Sequence, residues 1–316
     1  MYDLRKTFKL LIIMMIIAAC VTPAHAESLI LPVQVDAVDL ECDLYPSDLS
    51  DAKDEIHRYV LRFAASENRI PEDVFPKRYK DETLELTITR EWYMDRAWVY
   101  AAHIVMSDYG RLYTEGGGGP TGTEKPSAAA ERLSALLVTN GSWQVIPQGN
   151  AIVRGGKIYL DRKCNTPACY SNKTGLLFYA DDGSEYEGIM ISELVSKGIV
   201  TDTFNFNPAF LIDGEILVAE SSEGAQRTFI GTNGKPGDIW LCCSEGRNAD
   251  GESIGITNYM SALYLKQHGC TFGVGLDGGG STNMVYRGQT LIRGIEHTGE
   301  RRVGDFVCVS YPADYA

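Results

Sequence analysis

The chain has 316 residues, 44% of them hydrophobic, and sets 29 basic residues against 42 acidic ones for a formal net charge of −13. That length and apolar content suit a globular protein of one or two domains with a sizeable core. So acidic a surface disfavours nucleic acid and anionic lipid as partners, and an anionic substrate needs a local basic exception to the overall field.

The first 26 residues differ from the rest. Arg5, Lys6 and Lys9 precede the apolar run "LLIIMMIIAA" (residues 10–19), which is too short to cross a bilayer comfortably. It gives way to "VTPAHA", whose Ala24-His25-Ala26 is a small-x-small cleavage signal. Residues 1–26 therefore read as a secretory signal peptide cleaved after Ala26. "IAAC" (residues 17–20) also fits a bacterial lipobox, so a lipid anchor at Cys20 is the alternative and the only expected route to a membrane. Both readings place the protein outside the cytoplasm, secreted or in the cell envelope. Cleavage removes three basic residues and one acid, leaving 26 Lys and Arg against 41 Asp and Glu. Seven cysteines remain: Cys42, Cys164, Cys169, Cys242, Cys243, Cys270 and Cys308. "CNTPAC" favours a turn and a local Cys164–Cys169 bridge, and the odd total leaves one thiol over. With no C-x-x-C pair and four histidines after the leader, a zinc site is not expected. No cofactor is called for, although a divalent cation remains compatible with the composition.

Residues 27–83 read as an N-terminal extension. An extended entry (27–46) leads into a helix (47–65) on Ile56, Tyr59, Val60 and Phe63, and Pro71 and Pro76 end it. Residues 84–316 form the main domain. "LELTIT" (84–89) and "WVYAAHIVM" (98–106) read as strands. "EGGGGPTGTEKPS" (115–127) reads as a surface loop, and it lacks the G-K-[ST] ending of a phosphate loop. "AAAERLSALL" (128–137) reads as a helix ending before "VTNGSW". Residues 143–244 alternate short strands with the turns "RGGK", "DDGS", "IDGE" and "TNGK". Within them "MISELVSKG" (190–198) is a short helix closed by Gly198. "GITNYMSALYLKQHG" (255–269) has a capping Thr257, apolar Met260, Leu263 and Tyr264, and a terminating Gly269. A strand (270–276), the sequence Asp277-Gly278-Gly279-Gly280-Ser281 and a second strand (283–287) follow, turned by Gly288-Gln289. Without repeats or strict βαβ alternation the class is α+β, a mixed sheet with packed helices in one main domain. His103 is expected in the core and His268 at a helix C-terminus.

Three consecutive glycines exceed what a hairpin needs, and each forfeits roughly 0.5–1 kcal/mol of backbone entropy. Asp277 is held at a strand end. The glycines admit a ligand to bare backbone, their N–H groups can form an anion nest, and Ser281 adds a hydroxyl. An acid beside such a nest suits a bond between a sugar carbon and a phosphate; a glycine-rich hairpin tip is the plain alternative.

"LDGGGSTNMVYRG" resembles the signature of the phosphodiester glycosidase family. Further family-like blocks occur in order: "SALLVTNGSW" with Asn140-Gly141; "FNFNPAFLIDGEI" with Pro208 and Asp213-Gly214; "QRTFIG" with Arg227 and Gly231; "EGRNADGESIG" with Gly246-Arg247; and "ERRVGDFVCV" with Arg302 and Asp305. Together they cover about residues 84–309. The chain departs from the pattern at Ser142-Trp143 and in the Arg247-to-Ser253 spacing, positions that bear on sugar specificity.

The resemblance implies hydrolysis of a sugar-1-phosphodiester, a phosphate-linked glycan, at the sugar C1–oxygen bond. A phosphomonoester leaves readily, so the demand falls on a cation for the phosphate and a carboxylate near C1. The resemblance assigns the carboxylate to Asp277, which can serve as nucleophile, base or electrostatic stabiliser. Arg227 is assigned the phosphate, a contact suited to its bidentate fork. Asn140, Gly141, Arg247, Gly278, Gly279, Gly280 and Ser281 are the expected substrate contacts. Asp213, Glu245 and Glu252 are unranked candidates for a second carboxylate, and Trp143 is either a sugar platform or a core residue. The competing classes are a non-catalytic envelope protein that binds glycopolymers, and a phosphodiesterase that cuts the P–O bond, which normally carries a dense His/Asp metal set.

Overall fold

A computed structural model describes residues 74–118, 122–142, 151–161, 168–179, 190–204, 206, 209–247, 253–294 and 300–313. The leader with Cys20 and Ala26, the helix expected at 47–65, Cys42, Trp143, Cys164, Pro208 and Glu252 lie outside the described residues. The compact unit runs from Val74 to Ala316. In chain order it contains β1 (Lys77–Lys80), β2 (Leu84–Tyr93), β3 (Ala97–Met106), β4 (Leu112–Gly116), α1 (Pro126–Arg132), β5 (Ala135–Asn140), β6 (Ile152–Arg154), β7 (Lys157–Leu160), β8 (Ala168–Ser171) and β9 (Leu176–Tyr179). There follow α2 (Ile191–Ser196), β10 (Asp202–Phe204), β11 (Ala209–Ile212), β12 (Glu215–Ile216), β13 (Arg227–Thr232), β14 (Asp238–Ser244), α3 (Asn258–Gln267), β15 (Phe272–Gly275), β16 (Asn283–Tyr286), β17 (Gln289–Arg293) and β18 (Asp305–Ser310).

The α+β class expected from the sequence is what the chain adopts. One sheet has eight strands in the order β1-β2-β3-β14-β13-β15-β11-β12, and a second has five, β17-β16-β5-β18-β4. The β10-β8-β9 sheet and the β6-β7 hairpin are smaller. The ladders through the centre of the large sheet are antiparallel, as are those of β5 with β16 and β18. On one face of the large sheet Val99, Ala101, Phe229 and Cys242 pack against Met260, Tyr264 and Leu265 of α3. α3 starts where Thr257 accepts the Met260 N–H at 3.1 Å and ends before Gly269, whose φ of +81° suits a residue with no Cβ. His268 caps that end, its ring bonding the Tyr264 carbonyl at 2.8 Å.

Three expectations change. The helix expected over 128–137 ends at Arg132, and Ala135 begins a strand. Ser134 at φ +45° breaks the helix. β5 then lies between β16 and β18 and is buried along its whole length; a continuous apolar run of this kind fits a two-sided buried strand as well as a helix. The glycine run at 115–127 is partly built in: Gly116 and Gly117 are buried, and Gly117 N–H donates to Gly304 O at 2.7 Å. His103, expected in the core, is about a third exposed, bonds Asp238 at 2.9 Å and stacks on Trp240 at 4.4 Å.

The two large sheets are joined through Asn140, the last residue of β5, which is 1% exposed. Its Oδ1 accepts from Thr228 Oγ1 of β13 at 2.8 Å and from the Asn283 N–H of β16 at 3.1 Å. Its Nδ2 donates to Asp277 O at 2.6 Å. The neutral amide supplies an acceptor for two groups and a donor for a third at once. Truncation strands the buried Asn283 amide and takes one of two side-chain partners from the Thr228 hydroxyl, which keeps Thr282 Oγ1 at 3.3 Å, so Asn140→Ala should cost about 1–3 kcal/mol. Urea unfolding checks this: the midpoint should fall with an unchanged m-value, and a change below about 0.5 kcal/mol would show that Asn140 does not join the sheets.

Candidate active site

The register of β13 and β15 places the two predicted catalytic residues together. Phe229 pairs with Gly275, and Leu276 N–H donates to Thr228 O at 2.7 Å. Continued one step further, the same register sets Asp277 opposite Arg227. Asp277 is held through its backbone: its N–H donates to Gly141 O at 3.0 Å, and its carbonyl takes the Asn140 amide. Its side chain, half-buried, is thereby presented from a fixed strand end.

The glycines after Asp277 have a packing job that the sequence did not show. A Cβ on Gly278 would lie 2.7 Å from Gln226 O. Gly279 sits at φ +57° and donates its N–H to Gln226 O at 2.9 Å. Ser281 N–H donates to Gly278 O at 3.1 Å, and Thr282 N–H to Gly279 O at 3.1 Å, closing a single 3₁₀ turn. A Cβ on Gly294 would come within 2.1 Å of Gly280 O. Bare backbone is therefore needed for the loop to pack on β13 and on the end of β17. The Gly279 amide, expected in an anion nest, is committed to Gln226 O, and the Ser281 amide to the turn. Gly278 and Gly279 are half-buried and border the site, whereas Gly280 and Ser281 are buried in its floor.

The positive charge comes from two arginines. Arg227 is fixed by its N–H on Ser244 Oγ at 3.0 Å and by its Nε on Ile256 O at 3.2 Å. Arg247 donates Nε to Gly224 O at 3.0 Å and is exposed. Burial, and then the charge of Arg247, lower the pKa of Arg227. The ion pairs among the described residues leave both arginines without a carboxylate. Among the described residues each guanidinium donates only through Nε, which keeps its terminal nitrogens available to a ligand there. Two guanidinium groups so placed, in a strongly acidic chain, form the local exception that an anionic substrate requires.

A second carboxylate also reaches the site, and it is none of those considered from the sequence. Asp213 sits in the β11–β12 turn beside Thr271, at the opposite end of β15 from Asp277. Glu245 accepts the Tyr100 hydroxyl at 3.2 Å and lies 3.8 Å from Arg90. Asp305, the first residue of β18, is 4% exposed and interacts electrostatically with Asp277. Its carbonyl accepts Gly141 N–H at 2.9 Å. Its carboxyl lies against the bare Cα of Gly141, where a Cβ would stand 2.9 Å from Oδ1. Arg154, 7% exposed, approaches its Oδ2 at 3.5 Å. Burial pushes the Asp305 carboxyl up to about 7; Arg154 opposes the rise, and Asp277 adds to it. The sequence signal was the position of Asp305 in the closing block, but nothing local ties a residue 28 positions downstream of Asp277 to it. The shared neighbour Gly141 becomes visible only once β5 is a strand.

The family model described as phosphodiester glycosidase matches residues 127–310. The SPbeta prophage-derived uncharacterized protein YomE of Bacillus subtilis (strain 168) is 28% identical over 208 residues, 62% of this chain. That match spans 31% of YomE, about a third of its length. Among solved structures, the zebrafish N-acetylglucosamine-1-phosphodiester alpha-N-acetylglucosaminidase catalytic domain, auto-inhibited by its pro-peptide, aligns with a TM-score of 0.54 at 18% identity, over 75% of this chain and 86% of that one. A hypothetical protein from Synechocystis aligns with a TM-score of 0.50 at 14% identity, over 75% of this chain and 64% of that one. Both structures share the fold. With the matched segment covering more than half of the chain and containing Asn140, Arg227, Arg247, Asp277 and Asp305, this protein belongs to the phosphodiester glycosidase family.

Proposed function

We propose that the protein is a hydrolase that cleaves the sugar C1–oxygen bond of a sugar-1-phosphodiester within a phosphate-linked glycan, and that it acts outside the cytoplasm after loss of residues 1–26. The observation that carries the reading is the pairing of a backbone-anchored Asp277 with Arg227 and Arg247, neither of which has a carboxylate partner among the described residues. The arginines hold the phosphodiester and then the departing phosphomonoester, whose extra negative charge they stabilise more strongly than the substrate's. Asp277 supports the positive charge that develops at C1. Asn140 and Gly141 act through position, since they hold the Asp277 backbone.

The test is release of reducing sugar from a panel of sugar 1-(methyl phosphate) diesters that vary the sugar and its anomeric configuration. Turnover of at least one member is expected; tight binding of a member without turnover would instead identify a glycopolymer binder. Asp277→Asn should retain its circular dichroism spectrum and lose activity by at least about 100-fold, on the order of 3 kcal/mol of transition-state stabilisation. A folded and active Asp277→Asn protein would remove Asp277 from the reaction. Arg227→Lys keeps the charge but not the planar fork, and should lower kcat/KM by 1–3 kcal/mol, roughly 5- to 150-fold. Wild-type kcat/KM in that variant would show that Arg227 contributes charge alone.

A further inference from the structure

The most unusual group outside the expected machinery is the buried carboxyl of Asp305. Its Oδ1 is enclosed and has no hydrogen-bond partner, and the Nε of Arg154 is likewise enclosed without one. The pair therefore meets at only one point, Arg154 Nη2 to Asp305 Oδ2 at 3.5 Å, which is long for a charge-assisted contact. Burying a carboxylate with such poor satisfaction costs more than burying a neutral carboxyl in the same place.

The surroundings are otherwise uncharged on two sides. The segment that leaves β5 contributes Gly141 and the Ser142 N–H, which donates to the carboxyl. β4 places Gly116 opposite Asp305. The charged group from β6 is Arg154, and from the loop after β15 it is Asp277. On β18 itself the buried Cys308 thiol also senses Asp305, and burial keeps that thiol protonated well above its ordinary range.

We propose that Asp305 is a positioning residue for the hydrolysis proposed above: lodged as a neutral carboxyl against Gly141, it places no second negative charge beside Asp277 at a site that must accept an anion. Gly141 is the physical link. Its N–H bonds Asp305 O and its C=O takes the Asp277 N–H, so one residue spaces the two acids. When Asp305 loses its proton to solvent, a second negative charge faces Asp277 and the incoming phosphodiester. The site then holds its substrate and its ionised Asp277 less well.

The inference rests on the proposed reaction for its activity readout, but it has a second readout that needs no substrate. A carboxyl raised from 3.8 to about 7 in the folded chain binds a proton that the unfolded chain releases. Its contribution to stability is therefore full below the unfolded value and is lost as pH rises toward 7. Asp305→Asn cannot undergo this loss. Relative to wild type, its unfolding equilibrium constant should fall between pH 4 and pH 8, by up to roughly 1,000-fold for three units. In activity, wild-type kcat/KM on the sugar 1-(methyl phosphate) panel should decline above about pH 7, and the residual activity of Asp305→Asn should lack that decline. Arg154→Gln, which removes the opposing cation, should move the decline to higher pH. A stability difference between wild type and Asp305→Asn that is flat from pH 4 to pH 8 would overturn the proposal, as would an alkaline decline that persists unshifted in both variants. A wild type that turns over no member of the panel, yet shows the pH-dependent stability difference, would count against the proposed hydrolysis while upholding the neutral carboxyl.

Discussion

The site depends on one buried amide and the peptide that follows it. Asn140 joins β13 and β16 through its oxygen and the Asp277 backbone through its nitrogen. Gly141 then bonds Asp305 on one side and Asp277 on the other. Three strands that are distant in sequence are thus fixed at one point. The node is neutral, so it adds no field of its own beside groups whose charges matter. It is also intolerant of change: an aspartate at 140 lacks the donor, and any side chain at 141 collides with the Asp305 carboxyl. The position of Asp277 is a consequence of these bonds rather than of its own side chain.

The electrostatics follow from the same economy. The chain carries a net charge of −13, which by itself would repel a phosphodiester. Among the described residues the ion pairs engage Arg111 with Asp81 and Arg132 with Glu124, while Arg227 and Arg247 are anchored on carbonyl groups through Nε. Anchoring on neutral acceptors preserves positive charge for a ligand, whereas an acidic partner would consume it. Burial strengthens Arg227 as an anion partner because less water competes for it. The glycine loop contributes by allowing Asp277 to sit close against β13.

Much of this was legible in the sequence. The strand before Asp277, the helix capped by Thr257 and the turn at Gly288 follow from local chemistry. The packing role of the glycines was not legible because a close backbone approach and a ligand nest demand the same residue type, and sequence does not say which backbone approaches. The segment over 128–137 was ambiguous for a different reason: Ala-Leu-Leu-Val is apolar on every face, so its period distinguishes neither state. That ambiguity hid the strand whose end carries Asn140, and with it the meeting of Asp277 and Asp305. Arg227 and Asp277, by contrast, emerged from block order and meet across an antiparallel register.

The central claim is that a carboxylate works at the sugar carbon while arginines retain the phosphate, so the bond between C1 and oxygen is the one that breaks. Hydrolysis of a reactive sugar 1-(methyl phosphate) diester in ¹⁸O-water, followed by mass spectrometry of both products, tests it directly. Water must enter at the atom that loses its bond. The account predicts label in the released sugar and none in methyl phosphate; label in methyl phosphate, with unlabelled sugar, would contradict it.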